Sequence, residues 1–435
     1  MTYPSTKGAG TASTKRLRSS AAVRAYQKEW FMNLKDRASQ GEPVVYSGIL
    51  ADADILTAMD ISHVTSPWWS AIVAAKRLSG FYNDIVAKHS YDLLGPDYEQ
   101  LGPCANCGAG WARLYDDPEH APYGGLPKIT AITTVGGRCR GSEKVTNTWL
   151  RRFDIRRNIP VFRLNLETTL TPYYPRYQNW WEKIEDHWDE VLEPHKLDYA
   201  VEELKALIRF LENLTGKTFS QDRLTEVLEL SNEQNRYWRK ARDLIAKTSP
   251  APVDVVDQLA QYPAQWHRGT PMGRDLAKMF YEEVKEMVEN GVEAYPNEKI
   301  RLQWLRQGNF GNTAFYQYFG EKYGAVFVTT EYLSIASDGY PRNPLNDPLR
   351  AIAGRALFIG MYTGVGWEIK EARHHNVKGA VGLETHCATP WHTGILMQKR
   401  AYEDAGIPMF AIPLSWNADK QKTEISRWLE TRLLS

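Results

Sequence analysis

The sequence predicts an α/β protein made of two doubly wound parallel-sheet domains with a helical insertion between them. Three observations carry that prediction. Short apolar runs closed by glycine or polar residues alternate with stretches of helical spacing near the start of the chain, and the same alternation returns near its end. Between about Tyr174 and Met287 the text is instead rich in Glu, Lys, Leu and Arg at a 3.6-residue period. The 435 residues suffice for two or three domains and a large core. The expected boundaries are a basic N-terminal arm and helix over 1–42, a first α/β domain over 43–173, the insertion over 174–295 and a second α/β domain over 296–435.

Taken in order, the first 28 residues carry Lys7, Lys15, Arg16, Arg18, Arg24 and Lys28 without an acid, among many Ser, Thr, Gly and Ala. They read as a mobile basic arm, either a solvated tail that docks on a partner or an organellar transit segment. Pro43 to Gly48 is a short apolar run closed by glycine, and Ile55, Leu56 and Met59 follow at helical spacing, which predicts a strand, a turn and a helix. Lys128 to Val135, ended by Gly136-Gly137, and Ile159 to Leu164 predict two further strands. The insertion is typified by Glu202 to Leu211, and it holds Trp180, Trp181, Trp188 and Trp238, residues suited to helix packing or to lining a channel. Strand-like runs resume at Ile300 to Leu305, Ala325 to Thr329, Gly379 to Leu383 and Ile407 to Ile412, separated by helical stretches.

Composition excludes several classes. Lys and Arg number 53 against 52 Asp and Glu, so the chain as a whole lacks the charge signature of a nucleic-acid binder. Its hydrophobic share of 43% contains no window resembling a membrane span. Four cysteines are too few for a disulfide scaffold, which points to the cytoplasm and to thiol or metal chemistry. Gly136-Gly137-Arg138-Cys139-Arg140-Gly141-Ser142 places Ser where a phosphate-binding loop needs Lys, and Gly364-Val365-Gly366 lacks the third glycine of a dinucleotide fingerprint. ATP hydrolysis and nicotinamide binding are therefore expected elsewhere.

The placement of the cysteines is more telling than their number. Cys104 and Cys107 form Cys-Ala-Asn-Cys in a Gly-rich loop, Cys139 follows the strand ending at Val135, and Cys387 follows the strand ending at Leu383. The last two thus share one structural position, the carboxyl end of a parallel strand just before a helix, where open α/β sheets bind ligands and helix amino termini favour anions. Inert packing, a structural zinc site and a thioredoxin-type pair are the alternatives. All four cysteines lie in polar, Gly-rich loops rather than apolar runs, the third and fourth stand singly 32 and 280 residues beyond Cys107, and no convincing strand leads directly into Cys-Ala-Asn-Cys. Three or four thiolates converging from two domains suit an iron–sulfur cluster best.

These segments resemble the 2-hydroxyacyl-CoA dehydratase and benzoyl-CoA reductase family from about Pro43 to the end. The most specific stretch is Lys378-Gly379-Ala380-Val381-Gly382-Leu383-Glu384-Thr385-His386-Cys387, followed by a helix, by Gly406 to Ile412 and by Ile425-Ser426-Arg427-Trp428-Leu429-Glu430. Val45-Tyr46-Ser47-Gly48 to Ala58-Met59-Asp60-Ile61 is similar to the family's first strand and helix. Within the family, the length and these variants are most similar to the larger electron-accepting subunit of ATP-dependent benzoyl-CoA reductases.

The resemblance implies a [4Fe-4S] cluster between the two α/β domains, held by Cys139, Cys387 and Cys107, with Cys104 as a replacement or a fourth ligand. A fourth thiolate would leave no iron open to substrate and make the cluster a relay. It also implies a smaller homologous iron–sulfur subunit, separate ATPase subunits that consume the ATP, ferredoxin as electron source, and reduction of the ring of benzoyl-CoA to a cyclic dienoyl-CoA. His386 and His392 flank Cys387 and are the candidate proton donors, or hydrogen-bond partners of a ligand. Asp54 falls where relatives can carry Glu, and the adjacent histidines His374 and His375 read either as contacts to a CoA phosphate or as an exposed pair on a helix. Ser415-Trp416 departs from the family, whose members often carry an acid there. The rival expectations are an (R)-2-hydroxyacyl-CoA dehydratase subunit and a non-catalytic electron-transfer scaffold.

Overall fold

The computed structural model describes residues 17–48, 51–78, 119–135, 159–166, 180–306, 309–331, 333, 341–358, 365–384, 394–413 and 417–435. Part of the stretch read as an arm is ordered into its first element. Helix α1 (Arg18–Ser39) buries Ser19, Ser20, Val23, Gln27, Phe31 and Leu34, a stripe at helical spacing whose aromatic member stacks 5.5 Å from Trp69. The start of α1 has no side-chain cap of its own, and Glu283 supplies one by accepting the backbone N–H groups of Arg18 and Ser19 at 2.8 and 2.9 Å.

Two four-stranded parallel sheets follow. The first is built from β1 (Val44–Ser47), β2 (Ser62–Thr65), β3 (Ala131–Val135) and β4 (Val161–Leu164) in the order β2-β1-β3-β4. Helices α2 (Ala51–Ala58) and α3 (Ser66–Ala75) follow β1 and β2. Tyr46 lies opposite both Val64 and Ile132, so β1 is an interior strand. Strand β3 begins at Ala131, three residues later than the apolar run suggests. Thr130 occupies the preceding position, its hydroxyl accepting from the N–H of Val44 and its own N–H donating to the Val44 carbonyl.

The insertion is helical. Helix α4 (Pro194–Thr215) opens on proline and stops at Gly216, which takes the left-handed conformation at φ +70°; α5 (Gln221–Lys247) and α6 (Pro271–Glu289) are capped by the hydroxyls of Ser220 and Thr270. In α4, Leu197, Ala200, Leu204, Leu207, Ile208 and Leu211 form the buried stripe that the sequence period foretells. The insertion's tryptophans serve packing: Trp180 stacks on Trp367 at 5.4 Å, Trp188 donates to the Asn343 carbonyl at 2.7 Å, and Trp238 lies 5.3 Å from Phe280.

The second sheet repeats the first. Strands β5 (Ile300–Leu305), β6 (Ala325–Thr330), β7 (Gly379–Leu383) and β8 (Met409–Ile412) are parallel in the order β6-β5-β7-β8. Helices α7 (Ala314–Tyr323), α8 (Pro348–Phe358), α9 (Val365–His374), α10 (Ile395–Asp404) and α11 (Ala418–Arg432) accompany them. Gly324 links α7 to β6 at φ +64°, and a Cβ there would sit 2.0 Å from the Asn297 carbonyl oxygen, so only glycine fits. One hydrophobic cluster takes Val44, Tyr46 and Ile132 from the first sheet together with Leu302, Trp304, Phe327 and Val381 from the second, joined through Phe31, Trp68 and Trp69. The two sheets therefore share a core. Among the described residues no helix is long and apolar enough to cross a membrane.

Candidate functional site

In each sheet the chain moves outward from its first strand to its second, then crosses back to lay the third on the first strand's other side. This creates one switch point between β1 and β3 and another between β5 and β7. Crevices outside the carboxyl ends of the strands at such points are where open α/β sheets bind ligands. The third strand of each sheet leads to a cysteine: Cys139 stands four residues beyond Val135 at the end of β3, and Cys387 four residues beyond Leu383 at the end of β7. Cys104, Cys107, Cys139, Cys387, His386 and His392 all lie outside the described residues. Among the described residues no group of three or more His, Cys, Asp or Glu is placed to hold a metal ion.

At the first switch point the described side chains form a tight polar cluster. Asp52, in the first turn of α2, accepts the Gly48 N–H at 2.8 Å and the Thr133 hydroxyl at 2.6 Å, tying the exit of β1 to β3. Asp54 lies two residues on and is 1% exposed; its Oδ2 meets Nη1 of Arg355 at 2.7 Å, and the Arg355 side chain is fully buried on α8. The one described residue among the expected catalytic groups is thus held in a buried ion pair that joins a helix of the first half to a helix of the second. Its other oxygen, Oδ1, is buried without a hydrogen-bond partner.

The second switch point carries an acidic pair that the sequence reading passed over. Glu331 is the first residue beyond β6, and its Oε2 accepts the N–H of Arg306, the first residue beyond β5, at 3.0 Å. Arg306 sits at φ +72°, a conformation costly for a residue with a side chain and a recurring mark of functional sites. Glu368 comes from the first turn of α9 and accepts from Gln398 of α10, while the Glu331 carboxyl lies within hydrogen-bond reach. Burial, and next the charge of Glu331, push the Glu368 carboxyl well above the usual carboxylate range, against the pull of Arg306. The sequence signal was present: an acid directly after an apolar strand, and Trp367, Glu368, Glu371 and Ala372 together on the buried side of α9.

The two histidines at the end of α9 differ from an exposed pair. His374 is partly exposed and bonded to Asp243 at 2.8 Å, whereas His375 is wholly buried with Nδ1 at 3.0 Å from the Glu371 carbonyl. A buried ring held in this way is not a phosphate contact. A cavity of about 250 Å³ opens beside edge strand β2, lined among others by Tyr26, Trp30, Trp68, Trp266, His267 and Arg268. It draws no residue from β1 or β3 and so lies apart from the first switch point.

Two four-stranded parallel sheets of the same strand order, each with a switch point and a third strand followed in the sequence by a cysteine, define an α/β protein of the open parallel-sheet class. Residues 110–431 match the family model described as 2-hydroxyglutaryl-CoA dehydratase, D-component, and the chain belongs to that family. Cys139 and Cys387 fall inside the match, whereas Cys104 and Cys107 precede it. The chain is 23% identical over 300 residues to the alpha subunit of (R)-2-hydroxyglutaryl-CoA dehydratase from Acidaminococcus fermentans, covering 65% of this chain and 57% of that protein. It is 23% identical over 233 residues to the (R)-phenyllactyl-CoA dehydratase alpha subunit of Clostridium sporogenes, covering 49% of this chain and 53% of that one. It is also 29% identical over 113 residues to the (R)-2-hydroxyisocaproyl-CoA dehydratase alpha subunit of Clostridioides difficile, covering 26% and 27%. The matches thus span little more than half the length of the first two relatives.

Proposed function

We propose that this chain is the iron–sulfur subunit of a heteromeric enzyme that removes water from an (R)-2-hydroxyacyl-CoA. The observation that carries the reading is the pair of equivalent switch points, each followed at the same interval by a cysteine within the family-matched span. The donor set suits the group: Cys139, Cys387 and Cys107 would hold a [4Fe-4S] cluster, with Cys104 replacing or joining Cys107. Such a cluster supplies single low-potential electrons to the acyl-CoA. The chain's own residues do the rest. His386 and His392, next to Cys387, orient a ligand or pass a proton, and the buried Asp54–Arg355 pair holds α2 against α8 beside the first strand ends. The relatives named as alpha subunits indicate a partner of the same complex, and a separate ATPase activator fits the absence of a phosphate-binding loop from the sequence.

A second reading keeps the same parts and changes the substrate. Ser415-Trp416, where relatives often carry an acid, favours ring reduction of benzoyl-CoA with ferredoxin and ATP-driven electrons in anaerobic aromatic catabolism, in the cytoplasm. An anaerobic assay of the reconstituted complex separates the two. Dehydration of a 2-hydroxyacyl-CoA supports the first reading, ATP-dependent loss of the benzoyl-CoA absorbance supports the second, and neither activity from an iron-replete complex leaves the non-catalytic scaffold.

A further inference from the structure

We propose that Glu331 and Glu368 share one proton at neutral pH and act as the proton reservoir for chemistry at the carboxyl edge of the second sheet. The inference rests on the acyl-CoA reading above for its destination, and on geometry for the shared proton. Both carboxyls are taken out of water, Glu331 being 3% and Glu368 1% exposed. Among the described residues the cation acting on Glu368 is Arg306, itself 3% exposed, whose backbone N–H also meets Glu331. Two buried carboxylates beside one buried arginine leave a net negative charge away from the protein surface, which a proton removes.

A second, independent observation places that proton. Oε2 of Glu368 is occupied by the amide of Gln398, yet Oε1 is buried with no hydrogen-bond partner. An ionised Glu368 would strand a full acceptor there; a protonated one can carry its hydrogen on Oε1, with the Glu331 carboxyl as an acceptor within reach of the group. The surroundings hold the pair in place. Gln303, at the middle of β5, donates to the Glu368 carbonyl at 3.2 Å and accepts from the Tyr402 hydroxyl of α10 at 3.0 Å. Among the described residues, the groups facing the pair are therefore Arg306 beyond β5, Gln303 on β5, and Gln398 and Tyr402 on α10. On α9 the next acid, Glu371, is committed to Arg242 and Lys370.

The position fits delivery. Leu305 lies opposite Gly382 in the register of β5 and β7, so Arg306 is level with the last residue of β7, from which the chain runs to Cys387. In a dehydration the balance closes within the pair. Once the thioester has taken up one low-potential electron, which the proposed cluster would supply, the C2–O bond breaks with its pair on oxygen, and the Glu368 O–H bond breaks to let the oxygen leave as water. The dicarboxylate, with Arg306 as counter-ion, then takes the C3 proton. The electron would go back to its donor, and the pair is again singly protonated.

Infrared difference spectroscopy of the full chain at neutral pH, in H₂O and D₂O, tests the shared proton: a protonated-carboxyl stretch that shifts in D₂O is expected in the wild type and is lost in Glu368→Gln. Glu368→Gln reproduces the shape of the protonated acid and is expected to fold. In the anaerobic complex, Glu331→Gln and Glu368→Gln are each expected to lower kcat by roughly a hundredfold with KM and iron content unchanged, and to alter the pH profile of kcat. A wild type without the band overturns the shared proton. A band with wild-type turnover and pH profile in both variants overturns delivery. A wild-type complex that dehydrates no hydroxyacyl-CoA and reduces no arylacyl-CoA defeats the functional reading and delivery with it, while the infrared band still decides the proton.

Discussion

Asp54 and Arg355 stand 301 positions apart in the chain, and their 2.7 Å ion pair is buried at both side chains. Removing one partner of such a pair strands the other charge. Asp54→Ala is therefore expected to cost about 3–5 kcal/mol of unfolding free energy, measured by urea denaturation; a variant as stable as the wild type would show that the pair contributes nothing. Two other buried groups set the pH range with opposite signs. His267 is 7% exposed, and burial, with His63 adding to it, lowers its pKa from 6.5 to about 3. Its contribution is complete above about pH 6.5 and is lost as pH falls towards 3, because the unfolded chain takes a proton that the folded ring refuses. A loss of roughly a few kcal/mol over that window is expected in thermal melts, and a flatter acid limb in His267→Phe. Glu368 runs the other way. Its folded pKa is raised, so stability is full below the unfolded value of 4.5 and declines as pH rises through the folded one. Glu368→Gln should abolish that decline, and a wild-type curve that does not fall on the alkaline side would contradict the raised carboxyl.

At the scale of elements, the start of α1 depends on a side chain from elsewhere in the fold. Glu283 on α6 satisfies two N–H groups at the beginning of α1 and engages the Arg18 guanidinium at 3.4 Å. Glu283→Ala should cost about 1–2 kcal/mol and increase hydrogen exchange in the first turn of α1, while Glu283→Gln should keep part of the cap. Unchanged exchange would mean that packing of Phe31 and Leu34 alone holds the helix. Elements also differ in how readily they are read from the chain. Strand β5 is legible by its alternation of apolar with other residues, and β6 and β7 as apolar runs, the first preceded by Gly324 and the second opening on Gly379. Strand β2 is Ser-His-Val-Thr, too short and polar to stand out, and becomes a strand by pairing Ser62 to Thr65 along β1. The ordered part of the basic opening is a comparable case: its buried stripe includes Ser19 and Ser20, polar residues that gain a buried role from Glu283 and Gln261.

For the whole molecule, the shared core under the two sheets makes the halves one cooperative body, and the proposed ligand set spans both. Cys139→Ala and Cys387→Ala should then each release cluster iron and remove its electron paramagnetic resonance signal, although the two residues follow different sheets; normal iron and normal spectra in both variants would reject the shared site. Most of the strands, the long helices between the two sheets and the equivalent cysteine positions could be read from the linear text, because hydrophobic period, glycine punctuation and spacing are local properties. The strand order β2-β1-β3-β4 and its repeat could not, since pairing is decided by long-range contacts that leave no local signature. The same holds for the polar groups. Asp54 drew attention by its place in the chain, but its partner Arg355 and the meeting of Glu331 with Glu368 were decided by tertiary packing, which brings distant charges together out of water and so determines which of them must pair and which must keep a proton.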